Sequence, residues 1–229
     1  MMKIISLNLQ AFTNWEARKP AILEYLQAES PDIILFQEVV FIPNISPYNQ
    51  VQLLNETLRY PYEQSAITRL QPSHVYSLYR EGLASLSNYP VTKSDTVILQ
   101  QAEGDEHNRI VQLLDFEIEG RSVKIANVHY SITDFVDFAT AHLQETLEIL
   151  ASHNEERIII GDFNLDDLNK SKHLWGEKYF CSNEVDYISF PRLNKRNDYA
   201  LIPKSYTFET IATSGDGLSD HRALAIEIK

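Results

Sequence analysis

Polar side chains follow several apolar runs of this sequence, and their chemistry suits the binding of a cation or a phosphate. The apolar runs at residues 4–7 and 33–36 end at Asn8 and at Gln37-Glu38. Later endings with the same chemistry are Asn127-Val128-His129, Asp162-Phe163-Asn164 and Ser219-Asp220-His221. Carboxylates, amides and imidazoles bind hard divalent cations and phosphate oxygens. Because these endings repeat one chemical theme, packing alone explains them poorly, and we expect a functional site.

The elements that must position these groups are short strands and a few helices. Strands are predicted at residues 3–8, 32–36, 75–79, 83–87, 91–99, 109–118, 121–129, 157–161, 198–202, 206–212 and 222–228. One helix is predicted from Thr13, with Glu16 as its capping-box partner, to Pro31, and two more at residues 48–58 and 139–152. This order predicts one mixed α/β domain over residues 1–229, with stacked sheets and helices outside them.

Composition and charge limit the class of protein and its partners. The 229 residues carry 20 Lys and Arg against 32 Asp and Glu, a formal net charge of −12, and 44% of them are hydrophobic. This composition excludes a disordered chain, and the acidity argues against a wide basic surface for duplex DNA. Cys181 is the only cysteine, which excludes an intrachain disulfide and a multi-cysteine zinc site. The apolar runs are too short for a membrane span or a signal peptide, so we expect a cytoplasmic protein.

The ordered motifs resemble those of a known superfamily. They are Leu7-Asn8, Gln37-Glu38, Gly161-Asp162-Phe163-Asn164, Asp198-Tyr199 and Ser219-Asp220-His221. In this order they are similar to the endonuclease/exonuclease/phosphatase superfamily, which includes deoxyribonuclease-I-like and exonuclease-III-like nucleases and magnesium-dependent sphingomyelinases. The resemblance implies a four-layered α/β sandwich, in which two central mixed β-sheets are flanked by helices and the site lies at one edge.

The resemblance also implies a metal site and an activated water. Glu38 would bind Mg²⁺ or Mn²⁺ directly, with Asn8 nearby and with Asp220 as a further metal candidate. Asp162 would orient or deprotonate the attacking water, and Asn164 would hold a phosphate oxygen. The metal would neutralise phosphate charge while the carboxylate aligns the water.

Further roles implied by the resemblance concern the histidines. Asp220 would act with His221, whose imidazole would donate to the negative charge that develops on the phosphate. Asp198 and His129 would line the same pocket. Glu81 matches an acidic position that orients the equivalent of His129 in some relatives.

Structural alternatives stand beside several of these roles. Asp162 and Asn164 suit an Asx turn that closes a strand, and His129 suits a buried sheet histidine. Arg109 is either a site residue or an ion-paired sheet residue. The basic cluster Arg192, Lys195 and Arg196 is either a phosphate contact or a solvated loop. Trp15 and Trp175 would stack on a substrate ring or pack in the core, and His74, His107, His142, His153 and His173 are expected to be surface or structural residues.

The function predicted from the sequence is a divalent-metal-dependent phosphoesterase that hydrolyses a phosphodiester or phosphomonoester by activated-water attack. One alternative is a nuclease of the same superfamily that acts on DNA or RNA. Another is a non-catalytic binding module on the same fold. The expected partner is a phosphate ester: nucleic acid, a phospholipid headgroup or a sugar phosphate.

Overall fold

The computed structural model describes residues 1–71, 74–76, 79–105, 108–132 and 137–229, and the elements below lie within them. The strands are β1 (Met2–Asn8), β2 (Ile33–Phe41), β3 (Tyr62–Gln71), β4 (Tyr79–Ser87), β5 (Val91–Ile98), β6 (Ile110–Ile118), β7 (Arg121–His129), β8 (Ile158–Asp162), β9 (Tyr179–Cys181), β10 (Asp198–Pro203), β11 (Phe208–Thr213) and β12 (Leu224–Ile228). The α-helices are α1 (Trp15–Glu29), α2 (Gln50–Leu58), α3 (Phe138–Ser152) and α4 (Lys172–Trp175).

The strands form two six-stranded sheets. The first has the order β11-β12-β1-β2-β4-β3 and the second the order β5-β6-β7-β8-β10-β9. Each sheet contains one parallel pair near its middle, β1 with β2 and β7 with β8, and its other pairs are antiparallel. In both parallel pairs the carboxyl ends lie side by side, which places Asn8 beside Gln37 and His129 beside Asp162.

Three apolar clusters separate the layers of the molecule. The cluster between the two sheets includes Ile4, Leu35, Phe116, Ile160 and Ile226. The cluster between the first sheet and α1 and α2 includes Ile5, Ile22, Leu26, Phe36 and Leu54. The cluster between the second sheet and α3 and α4 includes Ala126, Leu143, Leu150, Ile159 and Trp175. Helices, sheet, sheet and helices follow one another, and the predicted four-layered α/β sandwich is confirmed.

The central strands carry continuous apolar runs because both of their faces are buried. In β1, Ile4 packs in the cluster between the sheets, while Ile5 and Leu7 pack toward the helices. A strand covered on one side only alternates apolar and polar residues, whereas a strand covered on both sides does not. The runs that ended at candidate site residues are therefore the innermost strands of the fold.

The first helix begins later than the capping box predicts. Its N-cap is Asn14, which has a left-handed backbone with φ of 49°, and Thr13 lies outside the helix. A complete capping box occurs instead at α2, where the Asn49 side chain accepts from Gln52 N and the Gln52 side chain accepts from Asn49 N. Among the described residues, none of the helices is both long enough and apolar enough to cross a bilayer.

Two strands were not predicted, and one predicted strand is wrong. β3 forms an edge of the first sheet, and β9 forms an edge of the second with only three residues. The strand expected at residues 75–79 does not form at residues 74–76, residues 77 and 78 lie outside the described residues, and β4 begins at Tyr79. The sequence does not reveal β3 because its residues are mostly polar and only Ala66 is buried, as is common for edge strands.

Arg157 is expected to be a large contributor to stability. Its side chain is 1% exposed, and it contacts Asp115 through Nη1 and Glu155 through Nη2, the latter at 2.6 Å. Removing one partner of a buried ion pair leaves the other charge without compensation, so Arg157→Met should lower the free energy of unfolding by about 3–5 kcal/mol. Urea unfolding measures this change as a lower midpoint.

The control for this variant is an exposed pair on the same sheet. Lys93 Nζ lies 2.9 Å from Asp95 Oδ2, and its side chain is 56% exposed. Water screens such a pair, so Lys93→Met should unfold at the same urea concentration as the wild type. Equal midpoints for the two variants would contradict the structural role of Arg157.

Candidate active site

Strand ends from both sheets meet at one edge of the sandwich. Asn8 ends β1, His129 ends β7, Asp162 ends β8 and Asp198 begins β10. In the second sheet Asp162 pairs with His129 on one side and with Asp198 on the other. Asn8 Nδ2 donates to Asp162 Oδ2 at 3.0 Å and to Glu38 Oε1 at 3.1 Å. A single amide therefore joins the first sheet to the second at this edge.

Glu38 reaches the site because β2 is irregular at this residue. The register of β2 with β4 shifts between Phe36 and Val39, and Glu38 has φ of 51°. A left-handed backbone in a residue other than glycine costs of order 1–3 kcal/mol and often occurs at functional sites. The Glu38 side chain keeps 28% of its surface exposed, whereas the neighbouring Gln37 is buried and donates to Asn127 Oδ1. The irregularity thus directs one carboxylate into the cavity.

The segment after β8 forms a tight turn that fixes Asp162. Gly161 has φ of 148°, and a Cβ at this position would lie 2.1 Å from the carbonyl oxygen of Val128. Asn164 N donates to Asp162 Oδ1 at 2.9 Å, and Asn164 Nδ2 donates to Tyr130 O at 2.8 Å. The Asx turn considered as an alternative is therefore present. It holds one carboxylate oxygen of Asp162 and leaves the other facing Asn8.

His221 lies between two buried carboxylates. Its Nδ1 is 2.8 Å from Asp198 Oδ2, and its Nε2 is 3.7 Å from Asp162 Oδ2. We expected Asp220 to act with His221, but Asp220 Oδ1 accepts from Ser219 Oγ at 3.1 Å. The carboxylate in contact with the imidazole is Asp198, because β10 runs beside β8 and presents its first residue to the ring.

Ser189 holds Asp198 in place. Ser189 Oγ accepts from the backbone N–H groups of Asn197 and Asp198, both at 3.0 Å. The carbonyl oxygen of Ser189 accepts from Arg222 N at 2.8 Å, in the segment that follows His221. One buried serine therefore links the segments that carry the two partners of the Asp198–His221 pair.

His129 presents its ring nitrogens to different partners. Its Nδ1 lies 3.0 Å from Arg109 Nη1, and its Nε2 lies 3.5 Å from Asp162 Oδ2 and 3.9 Å from Glu38 Oε1. A guanidinium only donates hydrogen bonds, so Nδ1 accepts this one. The geometry therefore assigns the ring proton to Nε2, which faces the carboxylates.

Glu81 is the acidic residue that we expected to orient His129. It lies on β4, and its carboxylate is 3.6 Å from Arg69 Nη1. The group against His129 Nδ1 is Arg109. Burial lowers the pKa of Arg109, and Glu81 opposes this effect. Glu81 thus stabilises the charged form of Arg109, the residue that contacts His129.

Burial and crowding shift the pKa values of the acidic groups. Burial first, and then repulsion from Glu81, raise the pKa of Glu38 to about 7. Burial also raises the pKa of Asp162 to about 6, an effect that His221 opposes and Asp198 reinforces. For His221, burial lowers the pKa, but Asp198 and Asp162 together raise it to about 10. The His221 imidazole is therefore a cation at neutral pH. Additional positive charge nearby would stabilise the ionised forms of Glu38 and Asp162.

These groups line a cavity of about 370 Å³ that opens to solvent. Predicted site residues in its wall are Glu38, Arg109, His129, Asp162, Asn164, Asp220 and His221. Members of the basic cluster have different places: Lys195 lines the cavity, whereas Arg196 lies 4.2 Å above the Tyr187 ring and pairs with Asp186. Arg192 is exposed. Of this cluster, Lys195 is the cation nearest to the site.

The remaining aromatic and histidine residues mostly have structural places. Trp175 is buried and donates from Nε1 to Leu168 O at 3.3 Å. His142 is buried as well, and its Nδ1 accepts from Ser131 N. The exposed histidines are His74, His153 and His173, and His107 lies outside the described residues.

Comparison with known proteins identifies the family. The model of the Endonuclease/Exonuclease/phosphatase family matches residues 5–221. The chain belongs to this family.

Solved structures of this family share the fold with low sequence identity. A family protein from Leptotrichia buccalis is 18% identical with a TM-score of 0.81, and the match covers all of both chains. The catalytic domain of human Nocturnin, solved with a bound sulfate anion, is 18% identical with a TM-score of 0.78, over 100% of this chain and 94% of that one. A mannosyl-6-phosphatase from Bacteroides thetaiotaomicron is 17% identical with a TM-score of 0.72, over all of both chains. Likeness at such identities shows the fold.

The family site of this chain offers donors that suit a hard divalent cation. Carboxylate oxygens of Asp162 and Asp198 lie within 4.8 Å of one another, beside the protonated His221 imidazole. Asp198 Oδ1 is buried and has no hydrogen-bond partner among the described residues. Glu38 adds a partly exposed carboxylate beside them. Mg²⁺ and Mn²⁺ prefer carboxylate oxygens, so the residues present fit such an ion.

Asn8 lies between two carboxylates and donates a hydrogen bond to each. Its Nδ2 donates to Glu38 and Asp162, and its Oδ1 accepts from Gln10 N at 2.8 Å. Both ends of the amide are thus engaged, and the nitrogen rather than the oxygen faces the site. The backbone N–H of Gln10 thereby fixes the orientation of the Asn8 amide.

Arg18 supports the site from α1, and no feature of the sequence singles it out. Its guanidinium donates to Leu9 O and to Leu218 O, both at 2.8 Å. It thereby ties the segment after Asn8 to the segment before Asp220. Burial lowers the pKa of Arg18, and Asp220 opposes this effect.

Proposed function

We propose that this protein is a divalent-metal-dependent phosphoesterase that hydrolyses a phosphodiester or phosphomonoester bond by attack of an activated water. The observation that carries the proposal is the His221 imidazole, held between Asp198 and Asp162 beside the Glu38 carboxylate. This arrangement places a base, a cationic donor and a cation-binding carboxylate around one cavity. Water attack needs no serine or cysteine nucleophile.

The residues around the cavity have different roles in hydrolysis. Asp162 accepts a proton from the attacking water, and its orientation is fixed by Asn164 N and Asn8 Nδ2. His221 donates from Nε2 to the phosphate oxygens as negative charge develops on them. His129 donates from its Nε2, and Asn164 Nδ2 has a second hydrogen beyond the one given to Tyr130 O.

The metal ligand is Glu38, with Asn8 and Asp220 close to the same cavity. A bound Mg²⁺ or Mn²⁺ would neutralise phosphate charge and lower the pKa of a nearby water. The raised pKa of the Glu38 carboxyl, near 7, supports this assignment because burial and Glu81 penalise its charge until a cation balances it.

A nuclease is the second candidate, favoured by one residue. Lys195 lines the cavity with a side chain that is 45% exposed, so it could contact a flanking phosphate of a nucleic acid strand. The net charge of −12 opposes binding of a long duplex. A binding module without catalysis is disfavoured, because such a module has no need for the carboxylates and imidazoles that meet at this cavity.

Hydrolysis of bis(4-nitrophenyl) phosphate tests the proposed function. Activity should require Mg²⁺ or Mn²⁺ and disappear with a chelator. The ion should also raise the melting temperature, because a ligand that binds only the folded state stabilises it. Glu38→Gln should remove that shift, whereas Glu209→Gln, a change of a partly exposed glutamate on β11, should keep it. An unchanged shift in Glu38→Gln would contradict the metal assignment, and stronger turnover of oligonucleotides would favour the nuclease.

A further inference from the structure

An apolar groove of about 400 Å³ is built in part by β2, the strand that also carries Glu38, and no step of the proposed hydrolysis uses it. Its walls come from the segment after β1, the start of α1, the end of β2 and the segment before α2. The apolar side chains that dominate it are Phe12, Trp15, Val40, Ile42, Tyr48 and Tyr76. Clefts that bind small molecules have volumes of about 300–1,000 Å³ and mostly apolar walls.

Groove and site share two stretches of the chain. Asn8 ends β1 and the segment after it contributes Phe12 to the groove, while β2 carries both Glu38 of the site and Val40 of the groove. The Phe12 ring contacts Tyr79 edge-on, with 5.2 Å between the centroids. Because β2 carries both Glu38 and Val40, a substrate held at the site lies close to the start of the groove.

Two polar side chains of the groove, Gln50 and Ser46, form hydrogen bonds with the backbone. Gln50 Oε1 accepts from Val40 N at 2.8 Å, and Gln50 Nε2 donates to Ala11 O at 2.7 Å. Ser46 Oγ accepts from Tyr48 N at 3.0 Å. A nucleobase is recognised through hydrogen bonds to its edges as well as by stacking. These bonds reduce what the groove offers to a base edge and favour an occupant that needs no hydrogen bonds.

The charge of the groove also favours an apolar occupant over a nucleotide. Across the described part of the chain, its lining includes one charged side chain, Glu16, and no lysine or arginine. A polyphosphate backbone would meet a carboxylate there without a compensating cation. At the rim, Ile45 and Tyr48 are 67% and 50% exposed. Exposed apolar side chains that adjoin an apolar groove mark a binding surface.

We propose that this groove binds the hydrocarbon group of the substrate, so that the enzyme prefers phosphodiesters of apolar alcohols over phosphodiesters of nucleosides. The proposal rests on the proposed function and narrows its substrate class. Each methylene that leaves water on binding strengthens the complex, and the groove offers this gain only to an uncharged apolar group.

A series of 4-nitrophenyl phosphodiesters tests the proposal through one chromogenic leaving group. The second alcohol is methanol, octanol, phenol or the 5′-hydroxyl of thymidine. The octyl or the phenyl ester should exceed the methyl ester in kcat/KM by at least about tenfold, given several buried methylenes. The octyl and phenyl arms distinguish an aliphatic from an aromatic alcohol. The thymidyl ester should not exceed the methyl ester.

Variants of groove residues test whether the groove causes the preference for the octyl ester. Tyr48→Ala and Ile45→Asp should each lower the octyl-to-methyl ratio of kcat/KM, because one shortens the groove and the other charges its rim. The control is Phe180→Ala, an aromatic residue that is 41% exposed on β9 and lies outside the groove. It should keep the wild-type ratio. A ratio within one variant is independent of the amount of folded enzyme.

Binding without turnover separates this proposal from the proposed function. Calorimetric titration should detect octylphosphonate more tightly bound than methylphosphonate, with the difference reduced in Tyr48→Ala. Equal affinity for the two phosphonates, equal turnover of the methyl and octyl esters, or a preference for the thymidyl ester would each overturn the hydrocarbon assignment. If none of the four esters is hydrolysed but octylphosphonate still binds more tightly, the result would contradict the proposed function and support the groove assignment.

Discussion

Asp198→Asn is expected to lower kcat for phosphoester hydrolysis by about 10²–10⁴-fold, the usual contribution of a positioned acid or base. The Asp198 carboxylate lies 2.8 Å from His221 Nδ1. Burial lowers the pKa of His221, and Asp198 is the foremost of the carboxylates that raise it to about 10. Asparagine keeps the shape of the side chain and removes its charge. The ring then loses its proton more readily and no longer presents a stable cation to the phosphate.

Kinetics as a function of pH distinguish this role from a structural one. Loss of the His221 proton sets the alkaline limb of the kcat profile, and this limb should move to lower pH in Asp198→Asn. Asp198→Asn combined with His221→Gln should cost about as much as either change alone, because the two residues act as a unit. Multiplied losses in the double variant would refute the pairing. The control is Asp216→Asn, an exposed aspartate paired with Arg222, which should leave kcat unchanged.

Asp162→Asn should reduce kcat by about 10³-fold, with a smaller effect on KM. One oxygen of Asp162 is held by Asn164 N at 2.9 Å, and the other by Asn8 Nδ2 at 3.0 Å. His221 Nε2 and His129 Nε2 lie 3.7 Å and 3.5 Å from the second oxygen. An amide in this position cannot accept a proton from water. Its NH₂ group would also oppose a donor of Asn8 or repel the cationic His221.

Steady-state hydrolysis of bis(4-nitrophenyl) phosphate with saturating Mg²⁺ measures this loss. Asp32→Asn is the matched control, because Asp32 precedes β2 at the end opposite to Glu38 and its Oδ2 accepts from Lys3 N at 2.8 Å. This control should keep the wild-type kcat. Circular dichroism verifies that both variants fold. An Asp162→Asn enzyme with more than a tenth of the wild-type kcat would show that another group activates the water.

Much of the site was predictable from sequence because strand ends carry it. Apolar runs buried on both faces must lie at the centre of a sheet, and Asn8, His129 and Asp162 directly end such runs. The parallel pairs of each sheet then bring their ends to one edge. Order along the chain and side-chain chemistry were therefore enough to assemble most of the cavity wall.

The partners of these residues were less predictable. Asp220 adjoins His221 in sequence, yet the carboxylate against His221 Nδ1 is that of Asp198, which comes from another strand. In the same way His129 Nδ1 is contacted by Arg109, which lies far from it in sequence. Such pairings depend on register between strands, which residue types do not reveal.

The apolar groove could not be predicted from sequence because separate segments build it. Phe12, Val40 and Tyr48 come from the segment after β1, from β2 and from the segment before α2, which approach one another only in the folded chain. Trp15, which we expected either to stack on a substrate ring or to pack, is largely buried and still lines this groove. Exposed apolar residues such as Ile45 have no periodic pattern that marks them in advance.

The pairing of β1 with β12 has a consequence for how the protein matures. β1 lies within the first sheet between β12 and β2, and Asn8 and His221, from the first ten and the last ten residues of the sequence, meet on either side of Asp162. Contacts between such distant segments form late, because a long loop must close before they are gained. A ribosome-bound chain that lacks the β12 segment therefore has no assembled site. A single proteolytic cut that releases this segment would likewise take the site apart.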